Sequence, residues 1–202
     1  MISIIDYGAG NLRSVEKAIK YLGYDCEITC DKDVILSSKR VILPGVGAFG
    51  DAMASLRKAN LENVIYDLCD KKIKLMGICL GMQMMFEESE ETKGVSGLGI
   101  FKGKVKRFSD DLGLKVPQMG WNNISVKKND GMFKDVKNPY VYFVHSYFLD
   151  AVNKESVAAT CEYGISFDAA YEEGNVSLCQ FHPEKSGEEG LKILNNFLCE
   201  VE

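Results

Sequence analysis

The sequence predicts an α/β protein with a mostly parallel central sheet flanked by helices and a strand-rich second half. Three observations carry this prediction. Short apolar runs alternate with amphipathic helical patterns through the first 90 residues. Strand-like segments separated by turns, with little helical periodicity, fill most of the chain from about residue 95 to residue 181. A single helical pattern then closes the chain.

The elements follow in order. Residues 2–7 form an apolar run that ends at Gly8-Ala9-Gly10, as a strand does when it enters a tight turn. Asn11 then precedes Leu12, Val15, Ile19 and Leu22, spaced for one face of a helix that Gly23 closes. Residues 26–29 read as a second strand and 40–43 as a third, running into Pro44-Gly45-Val46-Gly47. Met53 and Leu56, then Leu61, Val64, Ile65 and Leu68, mark helical faces. Residues 74–79 are the next strand and 82–86 the helix after it. Further strands are predicted at 101–108, 122–127, 140–147, 156–161 and 176–181. Ser186-Gly187-Glu188-Glu189 has the form of a capping box before the buried face Leu191, Leu194, Phe197 and Leu198. No repeat or linker-like run divides the chain, so a single domain over residues 1–202 is expected.

Composition narrows the function classes. With 46% hydrophobic and 26% charged residues, the chain has the balance of a soluble globular protein. No apolar stretch is long enough to cross a bilayer. The amino terminus carries neither a basic region nor a signal-peptide core, so a cytoplasmic location is expected. The seven cysteines are odd in number and scattered, with no C-x-x-C pair, which suggests neither a disulfide framework nor a zinc site. A net charge of −5 without a basic run argues against nucleic acid as the main ligand. With only two histidines, His145 and His182, any mechanism that needs an imidazole has two candidates.

Three segments carry chemistry. Gly77-Ile78-Cys79-Leu80-Gly81 is a cysteine version of the nucleophile elbow, in which glycines on both sides tolerate a tight strand-to-helix turn. Such a turn exposes the sulfur at a helix amino terminus, where free N–H groups favour an anion. Read alone, a glycine-flanked cysteine is more often tight packing than chemistry. Gln180-Phe181-His182-Pro183-Glu184 follows an apolar run; residues two apart in extended chain face the same way, so His182 and Glu184 point together. A cysteine nucleophile needs a base, and a carboxylate that fixes the tautomer of that base. The competing reading is a histidine at a strand end beside an exposed glutamate. Pro44-Gly45-Val46-Gly47 is a glycine-rich turn at the carboxyl end of a strand, where backbone N–H groups can approach an oxyanion. A phosphate-binding turn or a plain loop is the alternative, although the Gly-Lys-Ser/Thr ending of a P-loop is absent.

Taken jointly, these segments resemble the class I glutamine amidotransferases, whose motifs are P-G-x-G, G-x-C-x-G-x-Q and a distant H-P-E. They stand here as Pro44 to Gly47, Gly77 to Gln83 and His182 to Glu184, in that order. The resemblance implies a flavodoxin-like fold, with Cys79, His182 and Glu184 catalytic and the backbone at Val46, Gly47 and Leu80 forming the oxyanion hole. It further implies that Gly45, Gln83, His145, Ser146 and Tyr147 hold L-glutamine, and that no metal or organic cofactor is needed. Read from the residues alone, His145 is about equally a hydrogen-bonded strand histidine, and Trp121 and the tyrosines are core or interface residues.

Residues 5–12, 45–49, 116–122 and 142–147 are similar to the branch of this family that passes ammonia to a (β/α)8-barrel cyclase subunit, forming imidazole glycerol phosphate in histidine biosynthesis. That similarity implies a heterodimer. At Gln118 the branch suggests either His or Gln, so no catalytic role is assigned there. Three alternatives stand beside this reading: the glutaminase of another ammonia-channelling synthase, a non-catalytic regulatory subunit of the same fold, and a cysteine peptidase or γ-glutamyl hydrolase, which the lack of a signal sequence and the family-specific segments disfavour.

Overall fold

The computed structural model describes residues 1–199. The first half alternates β1 (Ile2–Ile5), α1 (Leu12–Tyr21), β2 (Cys26–Thr29), α2 (Lys32–Leu36), β3 (Arg40–Gly45), α3 (Phe49–Lys58), α4 (Glu62–Asp70), β4 (Lys74–Cys79) and α5 (Leu80–Gln83). The second half supplies β5 (Glu88–Ser89), β6 (Gly103–Arg107), β7 (Gln118–Val126), β8 (Tyr140–His145), β9 (Tyr147–Ala151), β10 (Val157–Glu162), β11 (Ser166–Glu173), β12 (Val176–Cys179) and finally α6 (Gly187–Leu198).

The principal strand order is β2-β1-β3-β4-β12-β11-β10-β7-β8. The pairs from β2 through β12 are parallel, and those from β12 outward to β8 are antiparallel. The strand-rich half thus extends the parallel sheet and also places β6 and β9 against it through β11. Alternation along the strands divides the apolar residues between two faces. Ile42 packs on the side that holds Val15 and Ile19 of α1 and Leu194 of α6. Val41 and Leu43 pack on the side that holds Met53 of α3 and Val64 of α4. Each such fully buried aliphatic side chain contributes on the order of 1.5–3 kcal/mol.

Several elements differ from expectation. The five-residue α2 is too short to show a period; Asp31 initiates it by accepting from the N–H groups of Asp33 and Val34. β11 was not expected, because its inner residues are buried on both faces and show no alternation. The run 140–147 is two strands broken at Ser146, since β8 pairs with β7 whereas β9 pairs with β6. The helix expected at 82–86 is the single turn Leu80–Gln83. Met84 and Met85 instead present their carbonyls to Leu98 and Ile100. The capping box is not formed: Ser186 makes no side-chain cap, because its hydroxyl is engaged elsewhere. No helix among the described residues is long and apolar enough to cross a membrane.

Candidate active site

Cys79 ends β4 with φ 55° and ψ −109°, a backbone conformation that a side chain rarely adopts. The turn is enforced by close backbone packing: a Cβ at Gly81 would collide with the Leu43 carbonyl oxygen, and one at Gly77 would sit 2.9 Å from the Gly81 oxygen. The parallel register of β3 and β4 sets Gly45 directly opposite Cys79. The glycine turn and the cysteine therefore meet at the carboxyl edge of the sheet. The sulfur-bearing residue is only 7% exposed, less open than the elbow motif suggests. With α5 reduced to one turn, a helix macrodipole contributes little there, and local N–H groups remain the available donors.

A cleft of about 260 Å³ opens at this edge. Of the residues expected to act, Val46, Gly47, Cys79, Leu80, Gln83, His145, Ser146, Tyr147 and His182 line it. Gly45 lies behind Cys79, and Glu184 stands behind His182. Glu91, which the sequence reading passed over, also lines the cleft. Its Oε2 accepts from the Phe49 N–H at 2.8 Å, so it caps α3 from a distant loop while facing the Val46-Gly47 turn.

Glu184 Oε1 lies 2.9 Å from His182 Nδ1, with both side chains almost fully buried. His182 Nε2 is buried without a hydrogen-bond partner among the described residues. Burial favours the neutral ring, but the Cys79 sulfur and the Glu184 carboxylate outweigh it and push the His182 pKa up to about 9. The sulfur thus acts on the ring electrostatically, although Nε2 makes no hydrogen bond among the described residues. The His182 backbone is clamped as well. Its N–H donates to the Tyr142 carbonyl at 2.9 Å, and its carbonyl accepts from the Ser186 hydroxyl, which in turn accepts from the Tyr142 N–H.

His145 has a partner at both ring nitrogens, the Tyr147 carbonyl at 2.8 Å from Nδ1 and Gln118 Oε1 at 3.0 Å from Nε2. Burial depresses its pKa to about 4, so the ring is neutral. Both neighbours are oxygen acceptors, so the neutral ring, with its single N–H, donates to one of them at a time. With both nitrogens engaged, the imidazole shapes the cleft wall and has no ring nitrogen left for a ligand. Gln118, 3% exposed, is the residue that fixes it.

Tyr7 donates its hydroxyl to the Pro44 carbonyl at 2.9 Å, anchoring the glycine turn from β1. Burial, reinforced by Cys79, keeps the Tyr7 phenol protonated. Tyr7 and Glu91 carried no sequence signal and Ser186 only that of a helix cap, because each acts across the fold.

A strained cysteine at a parallel-sheet edge, beside an imidazole backed by a carboxylate, is the arrangement of groups that thiol-dependent acyl transfer uses. The glutamine amidotransferase class-I family model matches residues 3–201, and the chain belongs to that family of enzymes. It is 52% identical over 198 residues to imidazole glycerol phosphate synthase subunit HisH of Caldanaerobacter subterraneus subsp. tengcongensis, covering 98% of this chain and 97% of that protein. It is 48% identical to the HisH subunit of Methanocaldococcus jannaschii over 200 residues, covering 98% of both. Within the class, the chain therefore belongs with the HisH subunits.

A chloroplastic relative from Arabidopsis thaliana, imidazole glycerol phosphate synthase hisHF, is 42% identical over 98% of this chain, which spans 34% of that longer protein. Among solved structures, a glutamine amidotransferase superposes with TM-score 0.77 at 20% identity, covering 98% of this chain and 96% of that one. PurLQS from Thermotoga maritima gives TM-score 0.76 at 21% identity with the same coverage. At these identities the two structures speak to the fold alone.

Proposed function

We propose that the chain hydrolyses L-glutamine through a γ-glutamyl thioester on Cys79. His182 takes the thiol proton, and the sulfur attacks the side-chain amide carbon. The oxyanion accepts hydrogen bonds from the Leu80 N–H and from the Val46-Gly47 turn. His182 then returns the proton to departing ammonia, and water assisted by the same imidazole releases glutamate. Glu184 keeps the ring in the required tautomer. The observation that carries this reading is the strained Cys79 turn beside an imidazole whose far nitrogen is held by Glu184.

Glutamine itself offers an ammonium, a carboxylate and an amide. Both N–H donors of Gln83 are engaged, so its carbonyl oxygen remains for the substrate ammonium, which also meets Glu91, the one carboxylate lining the cleft among the described residues. Ser146 and Tyr147 complete the pocket, and Gly45, behind Cys79, supports it without lining it. We further propose that residues 1–202 act as one glutaminase domain in the cytoplasm, needing no cofactor.

The ammonia passes to a (β/α)8-barrel cyclase subunit of imidazole glycerol phosphate synthase, bound as a heterodimer. Exposed Met119, Trp121 and Tyr140 on the outer face of β7 and β8 support a partner there, and that face reaches the cleft through Val144. A coupled assay with the cyclase, following glutamate and imidazole glycerol phosphate together, tests the assignment. Glutamate release should rise when the cyclase and its ligand are present. Equal release with and without them contradicts the partnership.

A further inference from the structure

Gln180 lies two residues before His182, is fully buried, and takes part in no step derived above. Its Nε2 donates to Cys79 Sγ at 3.6 Å. Its Oε1 accepts from Gln83 Nε2 at 2.9 Å, and the same Gln83 nitrogen donates to the Tyr147 carbonyl at 3.1 Å. The direction of this chain is fixed at its far end. The Tyr147 oxygen can only accept, so Gln83 must turn its nitrogen toward it; that nitrogen then needs an acceptor on Gln180, which leaves the Gln180 N–H for the sulfur. A neutral amide donor aimed at sulfur stabilises the anion more than the thiol.

We propose that Gln180 is a catalytic hydrogen-bond donor to the Cys79 sulfur, oriented by Gln83 and the Tyr147 carbonyl, which favours the anionic nucleophile and aims it into the cleft. The proposal rests on the reading of Cys79 as nucleophile. The other titratable groups that act on Cys79 are His182, Tyr7 and Cys179, and burial keeps both the Tyr7 phenol and the Cys179 thiol neutral. His182 is therefore the cation at the sulfur and Gln180 the neutral donor. Because Gln83 also lines the cleft, the same chain of amides links the substrate pocket to the nucleophile.

The test uses the full chain with Gln180→Leu and Gln180→Met, which preserve approximate size and remove the donor. Iodoacetamide labelling of Cys79, read by peptide mass spectrometry across pH, is measured beside glutaminase kcat and KM. We expect labelling at neutral pH to slow about tenfold, its profile to depart from the wild-type curve, and kcat to fall by a similar factor with KM little changed. A labelling profile that overlays the wild-type curve overturns the proposal, even if turnover falls.

Where a variant fails to fold, the unaltered chain decides. The side-chain amide resonances of Gln180 should shift with the pH midpoint of Cys79 labelling, and static resonances overturn the proposal. Retained glutaminase activity in Cys79→Ala defeats the nucleophile reading itself. Lost activity there, together with an unmoved labelling profile in the Gln180 variants, defeats only the role of Gln180.

Discussion

His182 Nδ1 sits 2.9 Å from a Glu184 oxygen inside the protein, while Nε2 has no hydrogen-bond partner among the described residues. One nitrogen is thus committed to orientation and the other is available for proton transfer. The pKa of about 9 follows from the Cys79 sulfur and this carboxylate overcoming burial. Relative to the ordinary value of 6.5, the native state holds this proton more tightly than the unfolded chain. The resulting stability is fully present below pH 6.5 and is lost as pH rises through about 9. Urea unfolding at pH 6 and pH 9.5 should show that loss in the wild type and less of it in Glu184→Gln. The same substitution should lower kcat by about 10²-fold, measured as glutamate release. Unchanged kcat would make Glu184 a bystander.

The second histidine titrates in the opposite sense. His145 is depressed to about 4, so the unfolded state takes up its proton first as pH falls from 6.5, and stability declines toward pH 4. Gln118→Leu removes the partner of Nε2 and leaves a buried ring nitrogen unpaired, at a cost of about 1–3 kcal/mol. Thermal denaturation at neutral pH measures the cost. A melting temperature equal to the wild-type value would show that the ring does not depend on Gln118.

Gly81→Ala should be among the most damaging substitutions of similar size, because its methyl group would overlap the Leu43 carbonyl oxygen. The overlap is with backbone, which has little room to move. A loss of about 3 kcal/mol or more is expected in chemical denaturation, together with loss of Cys79 labelling. A soluble variant with wild-type stability would contradict the geometry of the elbow.

Trp121→Ala should leave the isolated chain's stability within about 0.5 kcal/mol, since the ring is 55% exposed. Its effect should fall instead on association: affinity for the cyclase subunit, measured by titration calorimetry, should weaken about 30-fold, as for a central aromatic contact. Undiminished affinity would move the partner off the β7–β8 face.

Much of this arrangement was legible because it is local. The strand Lys74–Cys79 was bounded correctly by its apolar run and flanking glycines, and the spacing of His182 and Glu184 put both on one side of the chain. Gln180 stands at the same two-residue spacing ahead of His182, a signal that periodicity offered but that acquires meaning only when β12 lies beside β4. The parts that were not legible depend on partners far away in sequence. Glu91 matters through the Phe49 N–H, and the Ser186 hydroxyl serves Tyr142 and His182 in place of its own helix. β11 escaped notice because burial on both faces removes the alternation that marks a half-exposed strand.

Acid-quenched intact-mass analysis during glutamine turnover looks for the covalent thioester on Cys79 itself. One glutamyl adduct per chain is expected, mapped to Cys79 and absent from a folded Cys79→Ala variant that releases no glutamate. Continued glutamate release by that variant, or an adduct mapped to another residue, would contradict it.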